Sequence, residues 1–433
     1  MIIRVNTELE LKVSHIDNKG NGVSLTNNIE FLIPGALKDE IVLAKPIKTI
    51  NKRVYCKLTK VKLPSDSRIK VDCNKFVICG GCDFRQVNDA WLKNWKLEKL
   101  LQKTKSLKIQ KKILPITTSK KNSRRRATFS GYYQNGEFNL GFISKFQEKI
   151  IGLHECKILD EDLLHLYRYL KDNLTRSIKK KINFKIQVNL VDNGSDIVFH
   201  LLKGSHKKIF KIDNLISDLI SVKVLRVSFK EGKRIISLPL HGEVRNKLGI
   251  LNNKTIFTFP PPGGFLQPTK SGETEIIKYV LNGIKGSKRV ADLFCGSGTL
   301  SIPISENAGM ICVDSNIDAL FGLKNGLKFY NKINKNEVFY QNLLRVPLSN
   351  EILKEMDSIV INPPAKGAIK QVNEIVKSDV KIIVYVSCNI NSFVRDAIIL
   401  LNNGYELEWL KPIDQFPNTN HLEIVAKFNM VNY

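Results

Sequence analysis

Period-two alternation opens the chain. Leu9, Leu11 and Val13 interleave with Glu10 and Lys12, the pattern of a strand with one buried face. Turn signals follow at Asn18-Lys19-Gly20-Asn21-Gly22 and Pro34-Gly35, and strand-like runs at 39–45 and 53–63. About five short strands in this stretch predict a small barrel of the oligonucleotide-binding type. The period then changes. Over 88–105 the apolar positions Trp91, Leu92, Trp95, Leu97, Leu100 and Leu101 predict a helix. Phe129, Tyr132, Tyr133, Phe138 and Phe142 lie beside Arg124-Arg125-Arg126, and their alternation favours a sheet core over a base-stacking surface. Residues 157–250 read as mixed α/β. Pro260-Pro261-Pro262-Gly263-Gly264 breaks the pattern and marks a hinge or an active-site loop. Beyond it, strand-like runs at 289–294, 310–314, 338–341, 358–362, 382–386 and 422–428 alternate with helical ones. That rhythm predicts a doubly wound, mostly parallel sheet.

Three units are therefore expected: a β-barrel over 1–63, a central basic α+β unit over 64–260, and an α/β domain over 261–433. A chain of 433 residues, 43% hydrophobic, has material for several cores. No apolar run reaches the length of a membrane span, and Met1-Ile2-Ile3-Arg4 leads directly into strand-like sequence without a signal peptide. A cytoplasmic protein is expected. Charge divides the chain sharply. Residues 1–250 carry 49 Lys+Arg against 24 Asp+Glu, and residues 251–433 carry 19 against 17. A general lysine bias would have raised both parts, so the first two units are expected to face a polyanion, most simply RNA.

Chemistry concentrates at four places. Val290-Ala291-Asp292-Leu293-Phe294-Cys295-Gly296-Ser297-Gly298-Thr299-Leu300 reads as a strand, a small-residue turn and a helix start. Asp314 ends the next strand, where it can accept from ribose hydroxyls. The phosphate-binding lysine of a P-loop is missing, and Ser301 breaks the full dinucleotide pattern, leaving a nucleoside-type cofactor as the expectation. Asn362-Pro363-Pro364 ends another strand in a rigid turn. Cys388 follows the apolar run Ile382-Ile383-Val384-Tyr385-Val386, and Glu423 opens a later strand. A thiol at a strand's carboxyl end, with a carboxylate to follow, suggests covalent catalysis and then proton removal. Of eight cysteines, Cys56 and Cys312 read as core and Cys295 as packing in the glycine loop. Cys73, Cys79 and Cys82, with the remote Cys156, can hold zinc or an iron–sulfur cluster. Three clustered thiols plus one suit a [4Fe–4S] cluster better than paired zinc knuckles do.

Taken in this order, these residues resemble the S-adenosylmethionine-dependent RNA uracil-5 methyltransferases, in particular the iron–sulfur branch acting on 23S ribosomal RNA. The resemblance runs over nearly the whole chain. It matches the barrel to an RNA-binding TRAM module, the α/β domain to a Rossmann-like class I methyltransferase, and Phe265-Leu266-Gln267-Pro268-Thr269 to an F-x-Q-x-N element. Ser387-Cys388-Asn389 matches the nucleophile motif and His421-Leu422-Glu423 the H-x-E motif carrying the base. It implies Cys388 as nucleophile at uracil carbon 6 and Glu423 as base. Gln267, Phe294, Thr299, Asp314, Asn342 and Asn362 become S-adenosylmethionine contacts, and Cys73, Cys79, Cys82 and Cys156 become [4Fe–4S] ligands. Thr269 and Thr299 stand where asparagine is found or frequent, and Asn362 where aspartate is frequent. Phe265 is a candidate to stack on a flipped base. The implied partner is RNA, 23S ribosomal RNA before tRNA, with no membrane and a monomeric enzyme. An adenine amino-methyltransferase, from Asn362-Pro363-Pro364, and a non-catalytic RNA-binding assembly factor are the competing functions.

Overall fold

The computed structural model describes residues 7–201 and 206–431. The expected strand start at Met1-Ile2-Ile3-Arg4 lies outside them. The first sheet has six strands, in spatial order Leu9–Lys12, Ile41–Ile50, Arg53–Leu63, Ile29–Pro34, Asn21–Thr26 and His15–Ile16. Its two edge strands are consecutive in the chain. One segment, bent at Val13 and Ser14, therefore borders both edges, bonding Glu40 O (2.9 Å) and Val23 O (2.8 Å) across the bend. The sheet curls into a half-barrel around Leu11, Val13, Phe31, Ile33, Val42, Val54 and Cys56. The alternation that opens the sequence is the inward face of this core.

The middle of the chain forms a seven-stranded sheet, Ile150–Ile151, Glu137–Ile143, Arg126–Gln134, Ile182–Val191, Gly194–Leu201, Val224–Glu231 and Arg234–Pro239. Helices Glu161–Asn173 and Ile212–Ile220 pack on it. The aromatic run beside the arginines is core here. Phe129 is buried, stacked on Phe142 at 5.7 Å and tilted against Tyr167 at 5.0 Å.

The third sheet has eight strands. Asn336–Tyr340, Gly309–Asp314, Arg289–Leu293, Ser358–Ile361 and Ile382–Ser387 are parallel neighbours. Glu423–Met430 then runs antiparallel beside Ile382–Ser387, with Tyr405–Asp414 antiparallel outside it. Thr117–Thr118, from the middle of the chain, adds a last short parallel strand. The sheet is thus parallel through five strands and ends in a hairpin. Tyr405–Asp414 went unread in the sequence because Pro412 and a bulge between Leu407 and Trp409 disturb its alternation. Cys312 is fully buried and Cys295 nearly so, both as packing residues. Among the described residues, no helix is long and apolar enough to cross a membrane.

Buried charges lock the units together. Helix Asp89–Lys103, capped by Asn88, sends Lys96 Nζ to Asp414 Oδ1 (2.7 Å) and to Phe416 O (3.0 Å), 0% and 2% of the paired side chains being exposed. Arg125 reaches Glu273 (2.7 Å), Asn246 (2.9 Å) and Gln267 O (3.1 Å) in an equally buried group. Burial pushes the Lys96 pKa down and the Asp414 pKa up, so each charge persists only because the other is there. Replacing Lys96 by methionine strands the Asp414 carboxylate. We expect a loss of roughly 3–5 kcal/mol, read as a lowered unfolding midpoint of the α/β domain.

Candidate active site

In an open α/β sheet the carboxyl ends of parallel strands face one crevice, and loops leaving them carry the chemistry. This chain follows that rule. Phe294 and Thr299 lie just after Arg289–Leu293, Asp314 ends Gly309–Asp314, and Asn342 comes after Asn336–Tyr340. Asn362 follows Ser358–Ile361 and Cys388 follows Ile382–Ser387. All six, with Gln267, Phe265 and Glu423, line one cleft of about 1580 Å³.

Glu423 enters by a different route. Its strand runs antiparallel to Ile382–Ser387, and Ser387 pairs with Ile424. The register therefore sets Glu423 opposite Cys388 at the mouth of the cleft. The carboxylate is 4% exposed, and burial raises its pKa to about 7 against the lowering effect of a hydrogen bond from Gln415. Burial and the Glu423 charge both push the Cys388 thiol up. Far from being a surface charge on an edge strand, this glutamate is a buried group facing the cysteine. The arrangement can perform nucleophilic addition and proton removal on one ring.

The glycine loop bends sharply. Phe294 adopts φ +65°, Gly296 φ +56° and Gly298 φ +86°. Gly296 N donates to Asp314 Oδ2 (2.9 Å) and Asn316 N to Asp314 Oδ1 (2.8 Å), fixing the acid at the loop's edge. The expected helix start is reduced to the four-residue Ser301–Ile304. Asp292, in the strand Arg289–Leu293 that leads into the loop, lies beneath it. It is fully buried, with its pKa raised to about 7 by burial. Ser301 Oγ donates to its Oδ2 (2.5 Å), while its buried Oδ1 has no partner among the described residues. An unsatisfied carboxylate oxygen in the wall of the cleft suits the amino group of a nucleoside amino acid, so the residues present fit S-adenosylmethionine. Its signal in the sequence was an acid inside an otherwise apolar strand.

Thr269 is buried. Its hydroxyl caps helix Lys270–Gly283 through Gly272 N (3.1 Å) and bonds Ser119 Oγ (2.7 Å). Gln267 sits just before it and is held by Gln415. Phe265 is 59% exposed, its ring under the Arg126 guanidinium at 4.9 Å, and is no part of the core. The proline–glycine loop is pinned to the central sheet by Gln187 to Gly263 O (2.8 Å) and Asn189 to Gly264 O (2.9 Å). Lys19 and Lys48 from the half-barrel, Lys99 and Lys103 from the helix, and Arg124, Arg126 and Lys145 from the middle unit also line the cleft.

Among the described residues, no three His, Cys, Asp or Glu side chains are arranged as a ready metal cage. Cys73, Cys79, Cys82 and Cys156 nevertheless share one region. The Cys79 thiol feels the charges of Cys156 and Cys73, and the Cys82 thiol those of Cys156 and Cys79, with burial raising both pKa values first. Arg85, whose charge acts on Cys82, is paired bidentately with Asp72, and Lys145 lies close by. Four sulfurs among cations fit an iron–sulfur cluster as a donor set, without a preformed geometry. The segment leaving Cys82 grips the loop before Glu423. Asp83 N and Phe84 N donate to Asn418 O (2.8 and 3.0 Å), and Asp83 Oδ2 accepts from Asn420.

A family model described as tRNA (Uracil-5-)-methyltransferase matches residues 330–428, the stretch holding Asn342, Asn362, Cys388 and Glu423. A protein of Brucella suis described as an uncharacterized RNA methyltransferase is 28% identical over 96% of this chain and 97% of its own. The 23S rRNA (uracil(1939)-C(5))-methyltransferase RlmD of Shewanella sediminis is 26% identical over 99% of this chain and 97% of its own. The crystal structure of Pyrococcus abyssi tRNA (uracil-54, C5)-methyltransferase, solved with S-adenosyl-L-homocysteine, superposes with a TM-score of 0.72. It covers 97% of this chain and all of that one at 18% identity, so the fold is shared from end to end. Residues 330–428 thus match the model of the uracil-5 methyltransferase family, and the chain as a whole is similar to RNA methyltransferases.

Proposed function

We propose that the protein transfers a methyl group from S-adenosylmethionine to carbon 5 of one uridine in 23S ribosomal RNA, through a covalent adduct with Cys388. The observation that carries this reading is the pairing of Cys388 and Glu423 across one cleft beside the loop of Asp292 and Asp314. The name of the Shewanella relative supports the choice of ribosomal RNA.

Carbon 5 of uracil is a weak nucleophile. Addition of the Cys388 thiolate to carbon 6 sends the ring's π pair to carbon 5 and the adjoining carbonyl as an enolate. Bound S-adenosylmethionine supplies the methyl group as an electrophile at its sulfonium. Once carbon 5 carries the methyl, the Glu423 carboxylate takes the proton there. That C–H pair restores the ring double bond as the sulfur–carbon 6 bond breaks, and the thiolate leaves. Asp292, Asp314, Gln267, Phe294, Thr299, Asn342 and Asn362 hold the cofactor. Phe265 and Arg126 offer a flat cationic face for the flipped base, while the lysines and arginines of the cleft meet the phosphates. Cys73, Cys79, Cys82 and Cys156 hold a [4Fe–4S] cluster that ties the segment gripping the 418–420 loop to the central sheet.

Mass spectrometry of ribosomal and transfer RNA from cells lacking the protein should show one 5-methyluridine missing from 23S RNA, restored by the wild type but not by Cys388→Ala. Loss from tRNA instead would move the same chemistry to that substrate. Methylation surviving Cys388→Ala would favour transfer to an adenine amine. The rate at saturating substrate should rise with pH through about 7, as Glu423 gives up its proton and becomes competent as a base. Glu423→Gln should lose that limb and roughly 10²–10⁴-fold in rate. Anaerobically purified protein should carry about four irons, a content that Cys82→Ser and Cys156→Ser each abolish.

A further inference from the structure

Gln415 is fully buried between two groups of the cleft that come from distant parts of the chain. Its side-chain nitrogen donates to Glu423 Oε2 (3.0 Å) and to Gln267 Oε1 (2.7 Å). Chemistry fixes the sense of this chain. An ionised carboxylate only accepts, so Gln415 must turn its amide nitrogen toward Glu423, and the second hydrogen on that nitrogen then requires an oxygen from Gln267. Gln267 is left with its own NH₂ pointing away from Gln415. Among the described residues that NH₂ has no protein acceptor, and Gln267 lines the cleft. It is therefore turned into the cleft as a donor.

We propose that Gln415 is a positioning residue for the base: it holds the Glu423 carboxylate, and its second hydrogen bond, to Gln267, fixes its own orientation. The proposal rests on the reading of Glu423 as the base. Other titratable groups near the carboxylate are Cys388, whose thiol feels its charge, and Asp414 on the neighbouring strand, which is already paired with Lys96. Gln415 touches neither sulfur nor cofactor, and its part is played through Glu423.

The test compares wild type with Gln415→Met, which removes the donor, and with Gln415→Glu, which keeps the shape but exchanges donor for acceptor. Without the donated hydrogen bond the charged form of Glu423 is less favoured. The acid limb of the rate profile should move up by roughly one pH unit, with turnover at neutral pH down about fivefold. The covalent trap on RNA carrying 5-fluorouridine should stay near wild type, because it does not need proton removal from carbon 5. An acid limb unmoved in both variants would overturn the proposal. So would a parallel fall of turnover and trapping, which would mark a merely structural role. Failure of the wild type itself to trap 5-fluorouridine would count against covalent catalysis as a whole, a different failure from either of these.

Discussion

One reversed strand makes this cleft. Five parallel strands deliver loops to a common edge, but a parallel sixth strand would begin at the far side of the sheet. Because Glu423–Met430 runs antiparallel to Ile382–Ser387, its first residue arrives where its neighbour ends. A nucleophile and a carboxylate from separate motifs are thereby opposed by backbone register alone. A slip of one residue would turn Glu423 to the other face of the sheet. The ladder protects the chemistry as much as it builds the core, and Val384, Val386 and Val425 bury the same face that fixes the register.

The register needs an anchored approach, and charge buried far from solvent provides it. Lys96 reaches across from its helix to Asp414 and Phe416, just ahead of the 415–422 loop, while Asp83 and Phe84 hold Asn418 and Asn420 from the other side. Arg125 performs the same task at the Gln267 side of the cleft. These contacts join residues 142 to 337 positions apart in the chain. The basic first part and the nearly neutral second part of the chain thus meet at one cleft, lined by cations of the first and by Cys388 and Glu423 of the second.

Much of this was legible in the sequence. Strand–turn–strand rhythm gave the half-barrel and the parallel sheet, because alternation and strand-end polarity are local properties. Cys388 announced itself as a thiol closing an apolar strand. Glu423 was harder, since a glutamate opening a strand looks like a solvated charge until the antiparallel neighbour is known. Asp292, Gln415 and Lys96 were invisible as functional groups. Each gains its meaning from partners distant in sequence, and a buried lysine inside an amphipathic helix reads as surface. Thr269, noted in the sequence only as a departure from a motif, caps a helix. The cysteines were read by spacing, and the fold brings them to one neighbourhood without closing them into a cage.

Successive action of a sulfur and a carboxylate on one pyrimidine is the core of the account. Intact-mass analysis of the Glu423→Gln protein, quenched during reaction with unmodified substrate RNA and S-adenosylmethionine, addresses it most directly. The account predicts a protein–RNA species heavier by one methyl group and absent when Cys388 is also replaced. Cofactor-bound Glu423→Gln protein that methylates its RNA without ever forming such a species would contradict it.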